Sequence, residues 1–176
     1  MGQGGAVAAW GEMPAAVRAL VPAEVVKTVC EPVATKKRPQ NSYDAQFSIP
    51  YTVATALAKG RFGLAELDDA ALRDEQVLAL AAKVEYEVDP DSPFPTYYSG
   101  EVVVTLNDGR ELRHREHINR GAAERPISNA DVERKFFENM QLVTSAARAA
   151  QVRDLVLAID RDSAAVDVQR GLAARG

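Results

Sequence analysis

The sequence predicts an α+β fold, with a mainly antiparallel sheet, packed helices and a closing helical segment. Apolar and charged residues alternate over 84–88, and strand patterns also flank Asn107-Asp108-Gly109, a hairpin signal because such a turn requires positive φ angles. An almost wholly apolar helix between Ser48 and Lys59 is suited to covering the sheet. After Pro126 the patterns indicate helices alone.

The N-terminal part is predicted from weaker patterns. We expect a short helix from Pro14 to Leu20 and a strand from Glu24 to Pro32, where valines alternate with charged residues. Residues 35–44 are rich in charge and turn formers and are predicted as a loop. The glycine-rich start lacks the basic segment and the long apolar run of a signal peptide, and we expect it to fray.

The helix from Ser48 to Lys59 has clear start and stop signals. Ser48 is a suitable N-cap, and Pro50 is tolerated in the first turn because the first amides have no intrahelical partner. Gly60 follows the last turn as a stop. Tyr51 is therefore expected in the first turn of a well-buried helix.

The remaining elements follow in order. Asp68 and Asp74 are predicted to begin two short helices. Residues 89–95 are rich in proline and are predicted to form a rigid loop. The second hairpin strand, 110–118, is polar enough to be an exposed edge. Ser128 and Asp131 form a capping-box pattern, followed by a helix through the alanines to Val156 and a weaker one from 162 to 172.

Composition limits the function classes. The 176 residues suit a leader over 1–20, an α+β domain over 21–126 and a helical segment over 127–176. A formal charge of −4 argues against nucleic-acid binding, and no segment is apolar for long enough to span a membrane. Cys30 is the single cysteine, which excludes an intramolecular disulfide and fits a reducing cytoplasm.

The strongest candidate site lies at the start of the Ser48–Lys59 helix. The hydroxyl of Tyr51 is expected beside free backbone N–H groups, and a helix start favours anions such as carboxylates. Gln46 and Ser48 are supporting candidates for binding a carboxylate. The alternative is a core tyrosine with a satisfied hydroxyl, next to a serine that only caps the helix.

Other polar clusters favour simpler interpretations. His114 and His117 lie three apart in a predicted strand, so they face opposite sides and no shared metal is expected. The acidic residues between Glu85 and Asp91 favour a solvated face over a calcium site. Lys36-Lys37-Arg38 is either a solvated loop or a local attraction for carboxylates.

Three segments occur in the order found in a known family. They are AQFSIPYTVATALAKGRFGLAELDDAALRD, VVVTLNDGREL and ERPISNADVERKFFENM, the last close to P-L-S-x-x-D-L-x-x-K-F. Over roughly residues 25–145 the chain thus resembles the C-terminal part of the MmgE/PrpD family of lyases. The resemblance covers the α+β lid and closing helices, whereas most catalytic residues of the family lie in a separate helical domain.

The resemblance carries functional expectations. It implies general acid–base dehydration or decarboxylation of a tricarboxylate such as 2-methylcitrate or cis-aconitate, with no cofactor. It places Tyr51 at the active site as the catalytic candidate. It also implies that the chain is inactive alone, and that its partner is the missing helical half or further copies of itself. The alternative is a non-catalytic α+β binding or assembly module.

Overall fold

The computed structural model describes residues 11–159 and 165–173. They form two compact units, which divide between Pro126 and Ile127. The first unit is α+β and the second is helical. In the described ranges, no helix has the length and apolar character needed to cross a membrane.

The first unit is built on a four-stranded sheet. Its strands are β1 (Ala16–Val21), β2 (Val84–Val88), β3 (Gly100–Thr105) and β4 (Glu111–Glu116), in the order β2-β1-β3-β4. The β1–β3 and β3–β4 pairs are antiparallel, and β1–β2 is parallel. The prediction of a mainly antiparallel sheet is confirmed, and β4 is the expected polar edge strand.

Five α-helices connect β1 to β2. They are α1 (Val26–Val29), α2 (Val33–Lys37), α3 (Ser42–Gln46), α4 (Ile49–Lys59) and α5 (Glu75–Ala82), with short 3-10 helices at Ala23–Val25, Leu64–Leu67 and Ala71–Arg73. Helices α4 and α5 pack together, and α4 also contacts β1 and β2. Their buried side chains meet the inner face of the sheet in one core, which includes Val17, Ala19, Tyr51, Ala54, Val77, Leu80, Val84 and Val104.

The structure confirms the predicted start and end of α4, the predicted start of α5 and the predicted hairpin turn. Ser48 caps α4, and Gly60 ends it with a left-handed φ of 75°. Asp74 caps α5 by accepting hydrogen bonds from the backbone N–H groups of Gln76 and Val77. Gly109 has a φ of 86° in the turn between β3 and β4, where glycine is favoured.

Three predictions for the N-terminal part are wrong. Pro14–Leu20 is not a helix: β1 occupies residues 16–21 at the centre of the sheet, so these residues are not a leader either. Glu24–Pro32 is helical rather than a strand, because valines at 25, 26 and 29 also satisfy the helical period. Residues 35–44 contain the end of α2 and the start of α3, which Asn41 caps by accepting from the N–H of Asp44. The predicted fraying of the first residues lies outside the described ranges.

The second unit contains α6 (Asn129–Met140), α7 (Ala146–Leu157) and α8 (Ala165–Ala173). Ser128 and Asp131 form the predicted capping box of α6. Arg153 on α7 joins Glu133 on α6 at 2.9 Å and lies over the ring of Phe137. The predicted start of the last helix, at residue 162, lies outside the described ranges.

Candidate functional site

The first turn of α4 is held by its capping serine. Ser48 Oγ accepts a hydrogen bond from the backbone N–H of Tyr51 at 3.0 Å and donates one to the carbonyl of Lys36 at 2.5 Å. The side chain is buried, so both bonds are shielded from water. The Ser48 hydroxyl thus caps the helix and also fastens it to α2.

A lysine from the basic cluster reinforces the same junction. Lys36 is buried, and its Nζ donates to the carbonyl of Phe47 at 2.6 Å. Lys37 instead bonds Glu85 and the carbonyl of Ala82, and Arg38 bonds Glu75. Lys36 and Lys37 therefore join parts of the fold, whereas the Arg38 pair is exposed to solvent. The sequence interpretation of a solvated loop is wrong for Lys36.

Tyr51 lies fully inside the core. Its hydroxyl donates to the backbone carbonyl of Glu66 at 2.9 Å, and its ring packs edge-on against Phe62 with centroids 6.3 Å apart. The expectation that the phenol lies beside the amides of the helix start is wrong, because the ring reaches the segment after α4 instead. Burial raises the pKa of the Tyr51 phenol above its ordinary value.

Thr55 lies one turn further along α4, on the face of Tyr51. It is 1% exposed, and its Oγ1 is the one buried side-chain polar atom in the described ranges without a hydrogen bond. The Thr55 hydroxyl nevertheless interacts with the Tyr51 hydroxyl and lowers the pKa of Tyr51. Burial raises this pKa by more than Thr55 lowers it. The sequence analysis missed Thr55, although its spacing of four from Tyr51 is a usable signal.

Glu66 organises the segment that covers Tyr51. Its carboxylate accepts from Arg61 Nε at 2.7 Å and from the backbone N–H of Gly63 at 2.8 Å. The Glu66 side chain is 9% exposed, whereas that of Arg61 is 73% exposed. The Glu66 carboxylate thus joins Arg61 and Gly63, and the Glu66 backbone carbonyl holds the Tyr51 hydroxyl.

Gln46, the third predicted site residue, is exposed at the end of α3. It is close in sequence to the capped helix start, but its side chain is not drawn into the core with Ser48 and Tyr51. The structure therefore brings two of the three predicted residues together, with both hydroxyls used inside the fold. A catalytic role of Tyr51 and substrate binding by Gln46 and Ser48 stay predictions.

A second polar cluster lies at the end of the sheet. Arg115 on β4 donates to Asp89 at 2.7 Å and to Glu101 at 2.9 Å. The Asp89 side chain is 1% exposed, so the predicted solvated face holds for Glu85 and Glu87 but not for Asp89. The sequence analysis missed this network because its members are far apart in the chain.

The remaining candidate groups have local roles. His114 is exposed and lies 3.0 Å from Glu116, and His117 is also exposed. Cys30 is buried, and burial raises the pKa of its thiol to about 11, so it is a poor nucleophile at neutral pH. No group of three or more His, Cys, Asp or Glu in residues 11–159 and 165–173 is arranged to hold a metal ion.

Comparison with known proteins places these features in a family. The family described as MmgE/PrpD C-terminal domain matches residues 11–161. The chain is similar to the human cis-aconitate decarboxylase, with 28% identity over 137 residues, 74% of this chain and 28% of the relative. It is also similar to the mouse cis-aconitate decarboxylase, with 28% identity over 129 residues, 69% of this chain and 26% of the relative. The chain therefore spans little more than a quarter of these relatives.

Proposed function

The chain belongs to the MmgE/PrpD family, and we propose that it forms the lid part of a lyase acting on a tricarboxylate such as cis-aconitate or 2-methylcitrate. The observation that carries the proposal is the match of residues 11–161 to the C-terminal domain of the family. Similarity to two cis-aconitate decarboxylases supports lyase chemistry. A cytoplasmic location is part of the proposal.

The chemistry divides between this chain and a helical partner. Removing a proton next to a carboxylate, followed by loss of water or carbon dioxide, needs a base, an acid and cationic anchors for the substrate. We assign the base to a helical domain that packs against this chain. The α+β unit closes over the substrate and excludes water, and Tyr51 is the group that contacts it.

Co-purification followed by an activity assay tests the proposal. The tagged chain is isolated from cells that carry its gene, and we expect a helical protein of the same family, or further copies of the chain, to come with it. The complex is then supplied with cis-aconitate, with release of carbon dioxide measured, and separately with 2-methylcitrate, with dehydration measured. The purified 176-residue chain is the control and should give no turnover above background.

The outcomes separate the alternatives. Turnover by the complex alone supports the proposal. Turnover by the isolated chain contradicts the assignment of the base to a partner. A stable complex without turnover of either tricarboxylate contradicts the lyase proposal.

A non-catalytic binding or assembly module is the second candidate. It is favoured by the internal use of the two hydroxyls, since Ser48 bonds Lys36 and Tyr51 bonds Glu66. A complex that forms without turnover, and whose stability is unchanged by millimolar-range cis-aconitate, would support this candidate.

A further inference from the structure

An apolar pocket lies on the helix-covered face of the sheet, at the end of β1. Its volume is about 290 Å3. This is roughly twice the volume of an apolar cavity that accepts benzene. Aliphatic side chains from the sheet, from the α1 region and from α4 form its walls, namely Ala19, Val102, Val25, Val29, Ile49 and Val53.

The walls of the pocket keep part of their apolar surface uncovered. Five of the aliphatic side chains are each half-buried: Val25, Val29, Ile49, Val53 and Val102. Three of the five, on α4 and β3, also pack against the main core of the first unit. The pocket is therefore an unfilled extension of this core, and a ligand that fills it removes apolar surface from water.

The polar side chains at the pocket already have partners within the fold. The buried Ser99 hydroxyl donates to Ser92 Oγ at 3.3 Å. The Glu101 carboxylate accepts from Arg115 at 2.9 Å and from Arg113 at 3.5 Å. Among the lining residues that the structure describes, Glu101 is the one charged side chain. Because an anion finds no countercharge among these residues, the pocket favours a neutral ligand.

Tyr98 adds an aromatic ring to the lining and is 61% exposed. Its ring packs edge-on against Phe94, with centroids 5.1 Å apart and an angle of 86° between the ring planes. Its backbone N–H donates to the side chain of Asn119 at 3.0 Å. The ring is thus held at the solvent-exposed side of the pocket, where the ring of a ligand can pack against it.

We propose that this pocket binds a small neutral aromatic molecule of one or two rings. The volume limits the size of the ligand, and the aliphatic walls with Tyr98 favour a ring. The absence of a countercharge from the described lining excludes the tricarboxylate, so this site goes beyond the proposed function. Tyr51, which lies in the core, does not line the pocket.

Titration of the full 176-residue chain with two probes tests the site. The chain carries 13C-labelled methyl groups, and the probes are indole and indole-2-carboxylate, which share a ring system and differ in charge. Indole should shift the methyl signals of Val29, Ile49 and Val53 saturably. We expect it to bind at least about tenfold more tightly than the carboxylate, which would have to be desolvated without a countercharge.

Val29→Phe places a ring inside the pocket in competition with the probe. It should weaken indole binding at least about tenfold and leave the melting temperature unchanged or raised, because it fills a cavity. Val25→Phe fills the pocket from the preceding turn and replaces this variant if Val29→Phe does not fold. Val33→Phe is the matched control, since Val33 is 38% exposed on α2 and does not line the pocket.

Saturable shifts confined to the pocket, and lost in the filling variant but not in Val33→Phe, support the proposal. Indole binding as tight in a folded filling variant as in the unmodified chain would overturn it. So would equal affinity for the two probes, or shifts that also reach exposed methyl groups of the second unit, such as that of Val143. Shifts of the pocket methyl signals with protein concentration alone would identify a second copy as the occupant and likewise reject the aromatic ligand.

Discussion

Asp89 and Arg115 form a 2.7 Å ion pair, although they belong to opposite edges of the four-stranded sheet. Asp89 comes directly after β2, and Arg115 lies on β4, with β1 and β3 between these strands. The Arg115 side chain therefore joins the two edges of the sheet at one end. Glu101 on β3 also accepts from it at 2.9 Å.

Replacing Arg115 should strongly destabilise the first unit. In Arg115→Met the almost fully buried Asp89 loses its countercharge, and such a change costs roughly 3–5 kcal/mol in a buried pair, less here because Arg115 is partly exposed. Denaturant unfolding measures the loss. Arg110→Met removes an exposed pair with Asp108 and should change stability little, because solvent screens such a pair. Equal effects of the two substitutions would contradict this expectation.

Tyr51→Phe separates the structural and catalytic roles of the phenol. The fold should persist, with a loss of about 1–2 kcal/mol, because the buried carbonyl of Glu66 loses its donor. In the assembled lyase, kcat/KM should fall roughly ten- to several hundred-fold. Tyr43→Phe, at a side chain 69% exposed, is the control for both measurements. An unchanged kcat/KM per folded molecule would leave Tyr51 with its structural role alone.

Ser48→Ala should destabilise the start of α4. The substitution removes the cap on the N–H of Tyr51 and the bond to the Lys36 carbonyl, for an expected loss of about 1–3 kcal/mol. Ser42→Ala, at an exposed position of α3, provides a matched control with little expected change. Thermal unfolding of both variants is the measurement, and similar melting temperatures would argue against the cap.

Acid should weaken the junction of α4 and α5 through Asp74. The bond from Lys59, together with backbone bonds from Val77 and Gln76, lowers the pKa of Asp74 below its ordinary value of 3.8. A depressed pKa in the folded state stabilises the protein above 3.8, and this contribution is lost as the pH falls through the folded-state pKa. The unfolding free energy of Asp74→Asn should therefore depend less on pH in this range. Asp69→Asn, at an exposed position, should retain the slope of the unmodified chain.

The second unit should mediate self-association of the purified chain. It exposes several large apolar side chains, among them Val143 at 81%, Leu157 at 64% and Leu142 at 52%. Such surfaces commonly mark interfaces. Light scattering should give a mass above that of one chain, and Val143→Asp with Leu157→Asp should lower it. Tyr98→Ser, at an exposed site in the first unit, should not lower the measured mass. A strictly monomeric unmodified chain would contradict the expectation.

Local signals predicted much of the fold. The α4 boundaries follow from Ser48, Pro50 and Gly60, whose preferences depend on their immediate neighbours, and the β3–β4 turn follows from Gly109 in the same way. Residues 24–32 were misassigned because Val25 and Val29 satisfy both strand alternation and a helical spacing of four. Only packing against the rest of the unit distinguishes these alternatives.

The candidate site was less predictable because it depends on contacts between distant residues. The first turn of α4 placed Tyr51 correctly, but the destination of its hydroxyl depends on Glu66, fifteen residues later. Lys36 on α2 similarly reaches the carbonyl of Phe47, eleven residues later, between α3 and α4. A sequence pattern identifies the helix that carries a side chain, but it does not identify a hydrogen-bond partner that lies far away in the chain.

The central position of β1 has a consequence for synthesis on the ribosome. This strand is made before its two neighbours in the sheet, β2 and β3, which begin at residues 84 and 100. Until they emerge, both edges of an apolar strand stay open to other nascent chains. We therefore expect newly made chains to depend on chaperones until the hairpin has left the exit tunnel.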